Sequence, residues 1–386
     1  MERCKVSLAE CRSYDRAAVT RALEAAMEPL GGLEWVKPGM RIAVKANLVS
    51  AMKPDAAATT HPALLCALTE QLKVRGAEVV IGDSPGGLYT KAYVEHVYSA
   101  TGMRQVEAAG ALLNRDFSVK EAAYANARVA KNFTYTAWLD RADAVINVSK
   151  LKTHGMMSMS AAAKNLFGAV PGTVKPEYHY RFPNPSDFAD MIVDLNEYFC
   201  PRLCLIDAVV GMEGNGPTAG EARPIGLILA SPSPHAADLL AAALIGLKPG
   251  EVPTLAAAIR RGLIPDDPGK LDITGPDWRT QVVADYKRVG TVRSLRFSRD
   301  STGIFGRAAA GLIDWALAST PKLQAEECVG CGECARLCPA KAIAMEGRRP
   351  RINRKACIRC FCCQEFCPKG AMKVHRTPLA RLLAHG

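Results

Sequence analysis

Eight cysteines near the C-terminal end fall into two runs with one spacing. "CVGCGECARLCP" supplies Cys328, Cys331, Cys334 and Cys338, closed by Pro339. "CIRCFCCQEFCP" supplies Cys357, Cys360, Cys363 and Cys367, closed by Pro368. Both read C-x2-C-x2-C-x3-C-P, and they are offset by 29 residues, so the segment is an internal duplication. Thiolates at this spacing suit iron–sulfur chemistry. Paired C-x2-C motifs also occur in zinc sites, but two duplicated four-cysteine runs that each end in proline fit zinc poorly. Cys362 is surplus to the pattern. It lies too close to Cys360 to replace Cys363, and it reads as a non-ligating thiol packed beside the site.

The double run resembles the bacterial two-cluster ferredoxins. In that topology the fourth cysteine of each run crosses to the other cluster. The resemblance therefore implies two [4Fe–4S] clusters. Cys328, Cys331, Cys334 and Cys367 would hold the first, and Cys357, Cys360, Cys363 and Cys338 the second. It also implies a redox partner of the ferredoxin, flavodoxin or reductase type. Exposed clusters of this kind are oxygen-labile, so an anaerobic setting is expected.

A second group of chemistry-bearing residues lies far upstream. In "SKLKTHG", Lys150, Lys152 and His154 are two residues apart. If the preceding apolar strand continues, all three project from one face. Lys45 and Asn47 repeat that spacing in "VKANL". Lys164 and Asn165 open "KNLFG", and Lys175 and His179 follow. Asp83 and Asp207 stand at other strand ends. Lysine offers a point charge and histidine a group that titrates near neutrality. The set suits an anionic small-molecule substrate, a carboxylate or phosphate. Lys152, His154 and Lys164 are the expected catalytic residues. Lys45, Asn47, Asp83, Asn165, His179 and Asp207 are the expected substrate-binding residues.

These residues need elements to hold them. The runs 41–49, 77–83, 142–150, 202–210 and 225–231 are short, rich in Val and Ile, and bounded by turn residues, so they read as buried strands. Helical patterns cover 14–30, 61–76, 185–199 and 235–247, the third capped by Ser186. Strand–helix alternation predicts an α/β fold on a mainly parallel sheet, flanked by helices. Ligands of such sheets sit at the carboxyl ends of the strands. The expected organisation is an α/β domain over 1–320, with room for a subdomain split near 140. A small α+β ferredoxin-like module follows over 321–376, then a basic tail over 377–386. A helix is expected in "RAAAGLIDWALA", leading into the cysteine module. The Gly-rich loops at 82–87 and 211–220 match neither a Walker loop nor G-x-G-x-x-G, and predict no nucleotide cofactor.

The strings "THPALL", "GDSPGG", "INVSKLKTHGMMSMSAAAKNLFGAVPG" and "LIDAVVGMEGNGPTAG" resemble the family called domain of unknown function 362. Members of that family often carry a C-terminal two-cluster module. The resemblance covers about residues 5–370 and implies architecture more than reaction. It also implies a remote likeness to the lactate-racemase fold.

Composition bounds the rest. The chain has 386 residues and a net charge of +11. Residues 328–386 hold 12 Lys and Arg against 3 Asp and Glu, which is +9 of that total. The basic residues do not alternate with aromatics, so nucleic acid is not an expected partner. They offset the negative charge of thiolate-bound clusters and favour an acidic electron partner. No uninterrupted apolar stretch reaches the roughly 18 residues of a membrane span, and the start shows no export signal. The protein is expected in the cytoplasm. Three functions fit: an iron–sulfur oxidoreductase acting on an anionic substrate; a non-catalytic electron carrier with a docking domain; and a non-redox isomerase with structural clusters.

Overall fold

A computed structural model describes residues 4–289 and 319–375. The helix expected in 307–318 and the basic tail at 377–386 lie outside the described residues.

The strands of the large domain are β1 (Lys5–Glu10), β2 (Arg41–Lys45), β3 (Glu78–Gly82), β4 (Leu112–Leu113), β5 (Val119–Ala123), β6 (Asn132–Thr136), β7 (Ala144–His154), β8 (Ser158–Ser160), β9 (Leu203–Glu213), β10 (Glu221–Ser231) and β11 (Asp272–Thr274). Its helices are α1 (Arg16–Met27), α2 (Pro62–Val74), α3 (Lys91–Ala100), α4 (Gln105–Ala108), α5 (Ala162–Asn165), α6 (Lys175–Arg181), α7 (Pro185–Phe199), α8 (Pro234–Leu244) and α9 (Pro253–Arg260). One sheet runs β11-β1-β10-β9-β7-β2-β3-β4, with β8 paired to β7. β9, β7, β2, β3 and β4 are mutually parallel. β10 joins β9 and β1 antiparallel, and β11 is parallel to β1. The sheet is mixed and mostly parallel, as the strand–helix alternation predicts.

Both sheet faces are covered, so the strands read as nearly continuous apolar runs. Alternation still decides the layer each side chain enters. Leu203 and Leu205 of β9 pack with α1, α2 and α3. Cys204 and Ile206 pack with α8 and α9 on the opposite face. α7 and the β5–β6 hairpin build an aromatic layer beside them, with Phe133, Phe167, Tyr178 and Phe188.

The sequence reading does not anticipate β4, β5, β6, β8, β11, α3, α4, α5, α6 or α9, and the strand expected over 41–49 ends at Lys45; three further differences follow. β7 runs on to His154 because its last three residues pair with β8. β1 escapes the sequence reading: it is six residues long with charged ends, and only its middle is buried. α7 begins two residues earlier than a Ser186 cap allows. Asn184 is the cap, its Oδ1 accepting the Ser186 N–H at 3.0 Å, and Pro185 occupies the first turn, where its missing N–H is not needed.

The C-terminal module comprises β12 (Thr320–Leu323), α10 (Glu333–Arg336), β13 (Ile343–Glu346), β14 (Arg349–Ile352), α11 (Cys362–Glu365) and β15 (Met372–His375). β12 pairs with β15, and β13 with β14, both antiparallel. The duplication survives in three dimensions. Gly332 before α10 and Phe361 before α11 occupy equivalent positions, and both are left-handed (φ 79° and 60°).

The module docks by α11 onto the loops at the carboxyl ends of the central strands. Gln364 Nε2 donates to the carbonyls of Asn215 (3.0 Å) and Gly216 (3.1 Å). Thr218 Oγ1 donates to the Glu365 carbonyl at 3.4 Å. The Phe366 ring lies so close over Gly86 that a Cβ there would overlap it.

Candidate functional site

β7, β2 and β3 are parallel neighbours, so their carboxyl ends open on one edge of the sheet. Lys45 ends β2, and Asp83 directly follows β3. Their charges pair at 2.7 Å with both side chains buried. Gly168 makes this possible: a Cβ there would overlap the Asp83 carboxylate. Lys45 Nζ also donates to the Ala46 carbonyl (2.7 Å) and to Asn165 Oδ1 (3.2 Å).

A run of buried amides ties the strands to α5. Asn47 Nδ2 donates to Asn165 Oδ1 at 3.0 Å, and Asn165 Nδ2 donates to Asn147 Oδ1 at 2.7 Å. The start of α5 is fixed by Asp238 of α8. Its carboxylate accepts the N–H groups of Ala162 (2.6 Å) and Ala163 (3.0 Å). Burial pushes the Asp238 carboxyl up to about 7, against those two hydrogen bonds.

Three further lysines meet at a small cavity lined by Asn47, Lys152, Lys164, Asn165, Lys175 and Glu365, among others. Lys152 Nζ donates to Asn47 Oδ1 (2.9 Å) and to the Ala58 carbonyl (2.6 Å). Lys175 Nζ donates to the carbonyls of Ser84 and Pro85. Lys164 is 7% exposed, and among the described residues its ammonium has no hydrogen bond or ion pair. Its nearest notable contact is the Phe167 ring, 5.8 Å away. Burial, reinforced by Lys164, lowers Lys152 to about 7. Burial lowers Lys175 to about 8, partly offset by Asp83.

His154 ends β7 with its ring in the same place. Its Nδ1 accepts the N–H groups of Met156 (3.1 Å) and Met157 (3.2 Å). Two donors on Nδ1 leave the ring hydrogen on Nε2. That Nε2 is buried with no hydrogen-bond partner and lies 3.8 Å from Glu365 Oε2. Burial, and then Lys164, lower His154 to about 4. At neutral pH it is an uncharged ring presenting an N–H. His179 is also buried, stacked on Phe188 at 4.4 Å, with neither ring nitrogen partnered. Burial lowers it to about 3.

Glu365 comes from α11 of the cysteine module, and its side chain is 11% exposed. Burial alone would raise its carboxyl, but Lys164 and His154 hold it well below the usual range. No upstream residue pattern announces it. The signal lay in the duplication: Glu365 stands where the first run has Arg336, and it is the only acid in the second run. Asn147 and Asp238 were likewise missed, as single polar residues inside apolar segments.

Not every expected residue joins this set. Lys150 and Lys152 do not share an environment, because the pairing of β7 with β9 shifts register between them. Lys150 instead pairs with Asp207 at 2.9 Å. Tyr14 bridges the two, with its hydroxyl 2.7 Å from each, and stacks on His61 at 3.6 Å. Asp207 thus belongs to a separate buried cluster and does not line the cavity. Lys45, Asn47, Asp83, Lys152, His154, Lys164, Asn165 and His179 gather at or next to the cavity.

The cysteines surround two further voids. Cys328, Cys331, Cys334 and Cys367 line one. Cys338, Cys357, Cys360 and Cys363 line the other, with Cys362 beside them and fully buried. Each void therefore takes three thiols from one run and the last thiol of the other. Among the described residues, no three Cys, His, Asp or Glu converge closely enough for a single metal ion. Thiols spread around a void suit a multi-iron cubane. The second set lies on the docking side, through α11, while Cys331 of the first is exposed.

Comparison with known proteins gives matches to both parts. The family described as domain of unknown function (DUF362) matches residues 42–243. A 4Fe-4S dicluster domain matches residues 320–368. The "Thylakoid-associated protein sll1697" of Synechocystis sp. is 33% identical over 267 residues, covering 67% of this chain and 80% of that protein. Among solved structures, the lactate racemase apoprotein of Thermoanaerobacterium thermosaccharolyticum aligns with 15% identity and a TM-score of 0.36. That alignment covers 58% of this chain and 53% of the racemase, too slight a likeness to carry a reaction across. Among the described residues no helix is long and apolar enough to cross a membrane.

Proposed function

We propose, for a chain that belongs to the DUF362 family and is an iron–sulfur protein by its 4Fe-4S dicluster domain, that it is an oxidoreductase acting on an anionic small molecule held among Lys152, Lys164 and Lys175. Two [4Fe–4S] clusters would supply one-electron transfer. Cys328, Cys331, Cys334 and Cys367 would hold one, and Cys338, Cys357, Cys360 and Cys363 the other.

One observation carries this reading. The short helix that bears Cys363 also delivers Glu365 into the lysine cavity. The redox module and the cationic site therefore share an element. The charge balance favours an anion. Lys45 is matched by Asp83, which leaves Lys152, Lys164 and Lys175 facing the single carboxylate of Glu365. Lys164 would hold the ligand by direct charge. Lys152, oriented by Asn47 and Ala58, would add a second ammonium. His154 would donate its Nε2 hydrogen to a ligand oxygen; with Nδ1 already occupied and the ring uncharged, it suits a donor more than the proton carrier expected from the sequence. Lys45, Asp83, Asn47 and Asn165 would act as the rigid floor beneath them.

A carrier reading, in which the large domain only docks a partner, has its own support. The cavity is about 40 Å³, room for about three water molecules. Anaerobic reduction followed by addition of small carboxylates separates the readings. Reoxidation that depends on Lys164 supports the enzyme. Binding of no anion, with undiminished reduction of partner proteins by Lys164→Gln, supports the carrier.

The partner in either reading is a redox protein of the ferredoxin, flavodoxin or reductase type, meeting the module near exposed Cys331 and Val329. The cytoplasmic placement belongs to the proposal too. The name of the Synechocystis relative suggests peripheral attachment to a membrane as the alternative, and cell fractionation decides between them.

A further inference from the structure

We infer that Glu365 is a tethered substitute for the ligand: its carboxylate occupies the anion position beside Lys164 and His154, and a free carboxylate must displace it to bind. This deepens the anion-site reading and rests on it.

Four observations lead here. First, Glu365 Oε2 lies 3.8 Å from His154 Nε2, a buried donor with no other partner. Second, Glu365 lines the same cavity as Lys164, a buried residue whose ammonium reaches the cavity without a hydrogen bond among the described residues. Both are groups that a ligand carboxylate would engage. Third, the cavity as it stands is too small for an organic acid, about 40 Å³. A ligand can enter only if a lining group withdraws. The floor residues are fixed by strand backbone and paired amides. Glu365 instead sits on a four-residue helix, held to the large domain by two Gln364 hydrogen bonds, one long bond from Thr218 and the packing of Phe361 and Phe366, so its own side chain is the group free to swing aside. Fourth, the carboxylate is not a demand of the cysteine fold, because the equivalent position in the first run is Arg336.

The ligand class follows. It carries a planar carboxylate to replace that of Glu365, and a second negative group suits the remaining lysine charge. A small dicarboxylate fits both terms. Displacement also links the two halves of the molecule. Any ligand that expels Glu365 strains or shifts α11, which bears Cys362 and Cys363. By linkage, contacts that hold α11 down oppose ligand binding.

The experiment uses the full chain, anaerobically purified with its clusters, and isothermal titration with oxalate and with inorganic phosphate. Glu365→Gln keeps the shape and removes the competing charge; it should bind oxalate at least tenfold more tightly than the wild type. Glu365→Ala must show the same gain, and iron content with the visible spectrum verifies that each variant is intact. Lys164→Gln combined with Glu365→Gln should lose the gain. The inference is overturned if wild type binds oxalate through Lys164 and Glu365→Gln binds it equally or less tightly. It is overturned as to class if phosphate gains and oxalate does not. Failure of every variant to bind either anion would instead remove the anion site itself.

Discussion

His154 shows how much a neighbour's backbone can decide. A histidine after an apolar strand reads as a proton carrier, yet two N–H groups at Nδ1 and full burial make it an uncharged donor. The lysines around it were legible from their spacing and their place after strands. Their separation into two clusters was not, because the register jump between β7 and β9, where Asp207 to Met212 faces Lys150 to Lys152, leaves no mark in residue type. Lys152 and Lys175 give the site its pH dependence. Their ammonium groups are charged below about 7 and about 8 and lose charge above. Anion affinity should therefore fall as pH rises from about 6.5 to 8.5, measured by calorimetry in a non-competing buffer. Stability moves oppositely. A lysine lowered in the folded state binds fewer protons there than when unfolded, so unfolding free energy rises with pH above about 7, up to the ordinary lysine range. Lys164→Gln should weaken anion binding about 10- to 100-fold, the loss of one charge-assisted contact of roughly 1.5–3 kcal/mol.

Elements set the positions of these groups. The sheet core was legible, since Val- and Ile-rich runs between turn residues leave few alternatives, and so were the four longest helices, α1, α2, α7 and α8, whereas α3, α9 and the short α4, α5 and α6 were not. β1 and the Asn184 cap were not, because a short half-polar strand and a cap two residues upstream of a serine carry weak signals. The start of α5, which positions Lys164 and Asn165, depends on Asp238. Asp238→Ala leaves two buried N–H groups unpaired and should cost about 2–4 kcal/mol in denaturant unfolding. Gly86 tests the docking of α11. Gly86→Ala drives a methyl group into the Phe366 ring. Hydrogen exchange at residues 361–366 should rise well above wild type while iron content holds. Unchanged exchange would mean the docked arrangement is not what holds the module.

At the scale of the whole molecule, the charge asymmetry visible in the sequence gains a place. The basic module inserts Glu365, one of five acids over residues 321–376, into the lysine cavity of the α/β domain. Composition could locate the charge but not this exception, which depends on a contact between residues 154 and 365. Iron content belongs to this scale as well. Cys362→Ser should keep about eight irons per chain, whereas Cys367→Ser, which removes the fourth thiol of the void lined by Cys328, Cys331 and Cys334, should lose about four.

The central claim is that the cysteine module and the lysine cavity act as one site. Electron paramagnetic resonance of the reduced chain, with and without saturating oxalate, tests it most directly. Oxalate should alter one cluster signal and leave the other unchanged, and Lys164→Gln should abolish the effect. Superimposable spectra, at oxalate concentrations where calorimetry shows the site filled, would contradict it.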